Sequence, residues 1–515
     1  MSPQAMIATS QPLAVQAGLE ILKSGGNAVD AAIATAAVLN VVEPMSIGIG
    51  GDLFALVYQA RERQLYGLNA SGRAPAQASL QDYRQRGFTE MPTEGIWSVT
   101  VPGAPRGWAV LLKRFGTRSL DQLLQPAIDY AQNGFPVSER IGRRWQSLAA
   151  KLAREENTAK TYLPNGQAPR PATIFKNPAL ARTFALLAHE GLGAFYEGEI
   201  AAEIVREFQK HDGLLSLSDL KEHQVNWVKP IHTDYRGVTV YELPPNGQGL
   251  IALLALNIAA GFELSQLEHN SAAYLHQLIE VMKLAFADGR HYIADPEFAD
   301  IPIEQLLSQE YAAQRRKLVG ENAGLNVTYG SPEGDTAYIT VVDEQRNVVS
   351  FIGSLFMPFG SGITVGDTGI VLQNRGSLFS LDPQQANRLE PRKRPYHTII
   401  PAMAFQNKLP WLSFGVVGGF MQPQGHLQLL CNLLDQGMSL QEAIEAPRFR
   451  FFEGRQVAVE AGVSPEAQEG LRARGHELIA GDGSFGGAQA IIIDPASGSL
   501  WGGSEPRSDG CAQGY

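Results

Sequence analysis

The sequence predicts a layered α+β protein, on three observations. Helix-like spacing dominates the first two thirds of the chain, strand-like runs cluster after residue 335, and the 515 residues are 44% hydrophobic, enough to fill a sizeable core. At about 100 to 200 residues per domain, that length suggests two to four domains or one large intertwined one.

Taken in order, Ala14 to Leu22 and Ala28 to Val41 are Ala-rich and read as two helices. Gly25-Gly26-Asn27 separates them, a break that suits a left-handed C-cap. Pro44 to Gly51 is a glycine-dense turn, and the apolar run Leu53 to Tyr58 reads as a buried strand. From about Leu111 to Gly320 apolar residues recur at spacings of three and four, as in Leu120 to Asn133 and Ala272 to His291. The stretch 321–335 is polar and turn-rich, the composition of an exposed, cleavable loop. Strand patterning begins directly after it with Thr336 to Val342, and a turn at Asp343 to Asn347 leads into Val348 to Ile352, a hairpin. Gly369 to Leu372 and Leu412 to Val417 read as further strands, Gln424 to Asp435 and Ser439 to Ala446 as helices, and the tail as β-rich. There is no internal repeat and no low-complexity tract.

Charge and motif content exclude several functions. The balance of 42 Lys and Arg against 52 Asp and Glu, a net of −10, argues against a polyanion-binding surface, and the short basic run Arg392-Lys393-Arg394 adds little field. Two cysteines, Cys431 and Cys511, make no disulfide framework, and no CxxC pair offers a zinc or redox site. No GxSxG, HExxH or Gly-Lys dipeptide is present, and Gly48-Ile49-Gly50-Gly51 precedes a strand where a dinucleotide loop would follow one. The most apolar stretch, Ala31 to Leu39, falls short of the roughly 18 residues a membrane span needs. Met1 to Ile7 shows no basic segment leading into an apolar one, so a cytoplasmic enzyme without nucleic-acid or membrane partners is expected.

Thr336 stands out chemically. A threonine opening a strand is ordinarily a β-branched residue in its preferred place, but this one follows a loop-like stretch directly. Were the Asp335–Thr336 bond cut, Thr336 would carry a free α-amine beside its own hydroxyl. An amine with a pKa of about 7.7 to 8.0 can take the hydroxyl proton near neutrality without any histidine.

At these residues the chain resembles, essentially end to end, the gamma-glutamyltransferase family of N-terminal-nucleophile hydrolases. The landmarks are Gly25 to Ala32, Gly48 to Asp52, Val101-Pro102-Gly103, Thr336 to Asp343 and Phe359 to Gly362. Lys393-Arg394-Pro395, Gly418-Gly419, Ala446-Pro447-Arg448, Glu505 to Gly510 and Gly514-Tyr515 come after them in order. The resemblance implies a four-layer αββα sandwich and a precursor that cuts itself between Asp335 and Thr336. Its large chain, 1–335, and small chain, 336–515, would remain a heterodimer within one intertwined domain. It also implies that the Thr336 hydroxyl first attacks the Asp335 carbonyl, forming an ester that water opens. In turnover the same hydroxyl would attack a substrate amide, and water or an amino acid or peptide amine would take the acyl group. Gly418 and Gly419 are implied as oxyanion donors, one such donor being worth about 2.7 to 4 kcal/mol; as a bare feature, the pair is equally a tight turn. Ser354 falls where the family orients the threonine amine, and reads equally as a satisfied serine. Neither metal nor cofactor is expected.

Departures from the family concern the glutamyl pocket. An Asn-Asn-Gln-Met-Asp-Asp-Phe-Ser stretch reads here Gln373-Asn374-Arg375-Gly376-Ser377-Leu378-Phe379-Ser380, so Leu378 replaces the aspartate that pairs with the substrate α-ammonium. A Ser-Ser pair becomes His397-Thr398, and an asparagine becomes Phe356. The carboxylate-holding arginine is matched only by Arg73 in Ser71 to Pro75, displaced by two places. The loop Leu381 to Pro391 is short, which predicts a reduced lid. Arg73 and Arg375 could together clamp a carboxylate or be ordinary structural arginines; Asn374, His397 and Thr398 complete the expected substrate-binding set. The leading expectation is hydrolysis or transfer of the γ-glutamyl group of glutathione and related amides. The alternatives are the same chemistry on a glutaryl- or oxamate-type amide, and an uncleaved homologue with a binding role.

Overall fold

The computed structural model describes residues 1–324, 334–481 and 485–515. Most of the cleavable loop expected at 321–335 therefore lies outside the described residues.

Two antiparallel sheets lie face to face. Across the first, the strands run in the order Cys511–Gly514, Met6–Thr9, Asp335–Val342, Val348–Phe356, Asp52–Gln59, Gln64–Ala70 and Asn226–Val228. The second runs Leu500–Ser504, Gly487–Ile493, Leu409–Val417, Ala402–Gln406, Val238–Glu242 and Ile231–Tyr235. Side chains alternate along each strand, so Tyr338 and Val342 join a core between the sheets with Phe54, Ile352, Met403 and Ile491. Their neighbours Ala337, Ile339 and Val341 face the other way, into a core shared with the helices Pro12–Lys23, Ala28–Val42 and Leu120–Asn133. The helices Gly249–Ala259, Ala272–Tyr292 and Met421–Leu434 cover the second sheet. The result is the four-layer α-β-β-α stack that the resemblance implied.

Local chemistry accounts for the elements that frame the site. Gly25 adopts φ +87° at the end of the first helix. Asn27 then caps the second, its side chain accepting the N–H groups of Val29 and Asp30 while Asp30 accepts that of Asn27. Helix Ala28–Val42 is buried on every face. The turn after strand Asp335–Val342 is tied to it, because the Asp343 carboxylate accepts the N–H groups of Ala28 and Asn347.

Three expectations need adjustment. The region from Leu111 to Gly320 is not uniformly helical: strands Asn226–Val228, Ile231–Tyr235 and Val238–Glu242 interrupt it. They are too short to outweigh the surrounding helical periodicity, although Val238 to Glu242 alternates buried and half-buried positions as an amphipathic strand should. Gly369 to Leu372 contributes only Ile370–Val371, paired with Thr364–Val365. The helix expected at Gln424 begins at Met421, since Pro423 is tolerated in a first turn. Among the described residues no helix is long and apolar enough to cross a membrane.

The strand order of the first sheet interleaves distant parts of the chain. Met6–Thr9 is inserted between Cys511–Gly514 and Asp335–Val342, with Met6 opposite Val342 and Thr9 opposite Ile339. Residues on either side of the Asp335–Thr336 bond thus alternate within one sheet.

Candidate active site

Thr336 sits near the start of its strand, almost wholly buried. Its hairpin partner pairs regularly as far as Gly353 opposite Ala337, then slips, so that Phe356 meets Asp335. A bulge of this kind re-aims a side chain, and here it turns Ser354 onto the bond before the threonine. Ser354 Oγ donates to the Asp335 carbonyl oxygen at 2.8 Å, accepts from the Phe356 N–H at 2.8 Å, and stands 3.1 Å from Thr336 Oγ1. A hydroxyl has one proton; with that proton on the carbonyl, the threonine O–H must be the donor of the 3.1 Å contact. The Thr336 hydroxyl and the Asp335 carbonyl are therefore held by one side chain.

The nitrogen of the same bond is held separately. Thr336 N–H donates to Asp335 Oδ1 at 3.0 Å, which also accepts from Ser46 Oγ at 2.9 Å, and Arg144 Nε lies 3.8 Å from Asp335 Oδ2. With the Asp335–Thr336 bond intact, Ser354 thus touches the Thr336 hydroxyl and the Asp335 carbonyl, while the nitrogen that the resemblance assigned to it bonds Asp335 Oδ1.

Gly418 and Gly419 lie beside this bond, both with positive φ, +114° and +59°. Their carbonyls accept from Met421 N–H, Gln422 N–H and the Gln248 amide. A Cβ on Gly334 would stand 2.6 Å from Gly419 Cα, so the chain just before the Asp335–Thr336 bond passes directly against the pair. The pair also leads into helix Met421–Leu434, whose positive end favours a developing anion. A cavity of ≈ 670 Å³ opens here, bounded by Thr336, Gly418, Glu43, Arg140, Arg144 and Arg507.

The remaining expected residues divide. None of Arg73, Asn374, Arg375, His397 and Thr398 lines this cavity. Arg73 pairs with Asp295 at 3.4 Å and Glu297 at 2.6 Å and donates to the Arg392 carbonyl at 2.9 Å, a structural set of partners. Asn374 is buried with both ends of its amide engaged, accepting from Met357 N–H and donating to the Thr93 carbonyl. Arg375 is fully buried, donates from Nη1 to Thr398 Oγ1 at 2.6 Å and lies 4.5 Å from the Phe356 ring centre. Among the described residues its Nε and Nη2 have no hydrogen-bond partner, and Asp52 Oδ2, 4.0 Å from Nε, is too distant to supply one. Burial pulls its pKa down to about 9, against the opposing charge of Asp52, which leaves it cationic at neutral pH.

His397 is buried against Phe54 and shares Asp52, its Nε2 lying 3.0 Å from Oδ2, while Ile399 N–H donates to its Nδ1. That network assigns the proton to Nε2. Burial, then the Arg375 charge, lowers its pKa to about 4, so the ring is neutral. The Thr398 carbonyl accepts from the same Gln248 amide that holds Gly419, which links Arg375 to the glycine pair through two side chains. Leu378 closes the short turn Arg375–Leu378 and borders a second cavity of ≈ 400 Å³ with Tyr396, Phe420 and Arg290.

Four contributors lie outside the expected set: Glu43, Ser46, Asp52 and Gln248. Ser46 sits inside the run read only as a glycine-dense turn, and Asp52 closes one of the landmark motifs. For Glu43 the available signal was an acidic residue directly after a mostly apolar helix.

The profile of the gamma-glutamyltranspeptidase family matches residues 14–515. A glutathione hydrolase-like proenzyme of Bacillus subtilis (YwrD) is 42% identical over 521 residues, covering 99% of this chain and 98% of that protein. An oxamate amidohydrolase proenzyme of Klebsiella pneumoniae is 35% identical, covering 100% and 99%. The crystal structure of a cephalosporin acylase from Bacillus halodurans superposes with a TM-score of 0.95 at 46% identity, covering 100% of this chain and 96% of that one. On these matches, this chain belongs to the gamma-glutamyltranspeptidase family of N-terminal-nucleophile hydrolases and transferases.

Proposed function

We propose that the protein is a precursor that cuts its own Asp335–Thr336 bond and then hydrolyses or transfers an acyl group through an ester on Thr336. The observation that carries this reading is Ser354, one hydroxyl shared by the threonine O–H and the carbonyl before it. In the cut, Thr336 Oγ1 would add to the Asp335 carbonyl while Ser354 supports the oxygen. The ester left by departure of the nitrogen would then be opened by water. In turnover the freed amine would take the hydroxyl proton, and the Gly418 and Gly419 N–H groups would support the oxyanion.

For the substrate we favour amides whose acyl group ends in a carboxylate. Arg375 is a buried cation with two unengaged guanidinium nitrogens, joined to Ser354 by way of Phe356 and to Gly419 by way of Thr398 and Gln248. A carboxylate would complete it as a fork. The γ-glutamyl group meets that requirement, and so does a glutaryl group. Leu378, in place of an aspartate, favours the acid that lacks an α-ammonium. On denaturing gels the wild type should give chains of 335 and 180 residues (515 − 335 = 180). A wild type that remains a single band would overturn the reading. Release rates from a γ-glutamyl anilide and a glutaryl anilide then rank the two acyl groups.

A further inference from the structure

Glu43 follows the last residue of the buried helix Ala28–Val42, and its own carboxyl is buried at the edge of the Thr336 cavity. A carboxylate there meets the negative end of the helix and has little water to compensate it. Ser10 Oγ donates to Glu43 Oε2 at 2.5 Å. Ser46, whose N–H donates to the Glu43 carbonyl at 3.1 Å, lines the same cavity; its hydroxyl donates to Asp335 Oδ1 at 2.9 Å, and Asp335 Oδ1 in turn accepts the Thr336 N–H at 3.0 Å. Glu43, Ser46 and Asp335 thus line one cavity, and the last two form a hydrogen-bonded path to the nitrogen that becomes an amine when the chain is cut.

We propose that Glu43, a positioning residue acting through Ser46 and Asp335, supplies the proton that the Thr336 nitrogen takes up after the cut, and then stands as the carboxylate that takes it back before the amine acts as base. The inference rests on the self-cleavage reading. The bookkeeping of atoms closes. The Thr336 Oγ1–Asp335 carbon bond forms and the Asp335 carbon–Thr336 nitrogen bond breaks, and the hydroxyl proton ends on nitrogen as –NH₂. The Glu43 carboxyl proton then converts –NH₂ to –NH₃⁺, which cannot attack the ester and reverse the shift, so the net cutting rate depends on that proton; a carboxylate is left, with no change in total charge and no co-reactant. Water is consumed only when the ester is opened.

The surroundings keep Glu43 protonated up to neutrality. Burial, then the charge of Asp335, raises its pKa to about 7, with Asp509 adding to this and the Ser10 and Ser46 hydrogen bonds opposing it. The cations across the cavity have other carboxylates or carbonyls: Arg143 pairs with Glu139, Arg140 donates to the Pro506 and Arg507 carbonyls, and Arg507 pairs with Glu460 and Glu505. Arg144 faces Asp335.

The test is the pH dependence of the cut, measured by quenching a cell-free translation of the full chain between pH 5.5 and 8.5 and resolving the products on denaturing gels. The wild-type cutting rate should bend near pH 7 and fall about tenfold per unit above it. Glu43→Gln should be at least about tenfold slower at pH 6 and lose the bend, and Glu43→Asp should restore it. A merely structural role would slow the cut at every pH and leave the bend in place, which would overturn the proposal. Should Glu43→Gln fail to fold, Ser46→Ala interrupts the same path with Glu43 intact; a bend retained in that variant overturns the proposal equally. A wild type that never cuts refutes the self-cleavage reading instead, so the two failures are distinct.

Discussion

The two sides of Thr336 are built on opposite terms. On the scissile-bond side the described polar groups answer one another: Ser354 uses its proton on the Asp335 carbonyl and its lone pairs on Thr336 and Phe356, and Asp335 Oδ1 takes the Ser46 and Thr336 donors. On the acyl side Arg375 is equally buried, yet two of its N–H groups are unengaged among the described residues. A closed hydrogen-bond set holds reacting atoms in place before any substrate arrives. An open one costs about 1 to 3 kcal/mol per unsatisfied group, and a ligand that supplies the missing acceptors recovers it. On the proposed function, the chemistry would be pre-assembled and recognition left for the substrate to complete.

The largest break in this comparison is Thr336→Ala. Without the hydroxyl there is neither a cut nor an acyl-enzyme, so a denaturing gel should show one band of 515 residues and amide release should fall by at least about 10³-fold. Two bands from this variant would move the nucleophile elsewhere. Next in size is Ser354→Ala, which removes the hydroxyl shared by both reacting groups. Loss of an oxyanion-type donor of about 2.7 to 4 kcal/mol predicts a cut slowed about 10²- to 10³-fold, read from the time course of band conversion. Ser354→Thr should recover most of it, because the hydroxyl is kept.

On the acyl side Arg375→Met, of similar bulk, should separate recognition from self-processing. Both chains should still appear on the gel, while KM for a carboxylate-bearing acyl donor rises by about 2 to 5 kcal/mol in binding terms. An unchanged KM would show that the two unengaged N–H groups do not face substrate.

Legibility from the sequence divides along the same line. The strand that carries Thr336 declared itself, because an apolar run with period two followed a polar stretch, and its hairpin partner was marked by the intervening turn. The bulge at Ser354 was invisible, since register is a property of two strands and not of either one. Arg375 was equally obscure: charged residues are ordinarily exposed, and nothing local to residues 373–380 reveals that this one is wholly buried. Arg73 misled for the complementary reason, as its partners Asp295 and Glu297 lie more than two hundred positions away. Glu43 was overshadowed by the glycine-dense turn that begins one residue later. Layer order came from family resemblance, whereas the short strands at Ile231–Tyr235 and Val238–Glu242 were lost among helical spacings.

The finest discrimination rests on Leu378. Its side chain is half-buried, at the end of the turn that begins with Arg375, and it borders the second cavity with Tyr396 and Phe420, the residue after Gly419. An aspartate there would keep contact with solvent through the cavity and so could ionise without the full cost of burial. If the acyl chain runs from Thr336 toward Arg375, residue 378 lies where an α-ammonium would be felt. Leu378→Asp should then raise the ratio of γ-glutamyl to glutaryl anilide turnover about tenfold, the equivalent of about 1.4 kcal/mol, mostly through KM for the γ-glutamyl compound. The glutaryl rate serves as the internal reference, because that acyl group offers the new carboxylate no cation and meets only its repulsion. A ratio that stays constant would mean that the acyl chain does not approach residue 378. The open side of the site would then have to be centred on Arg375 alone, which would favour acyl groups too short to reach the turn's end.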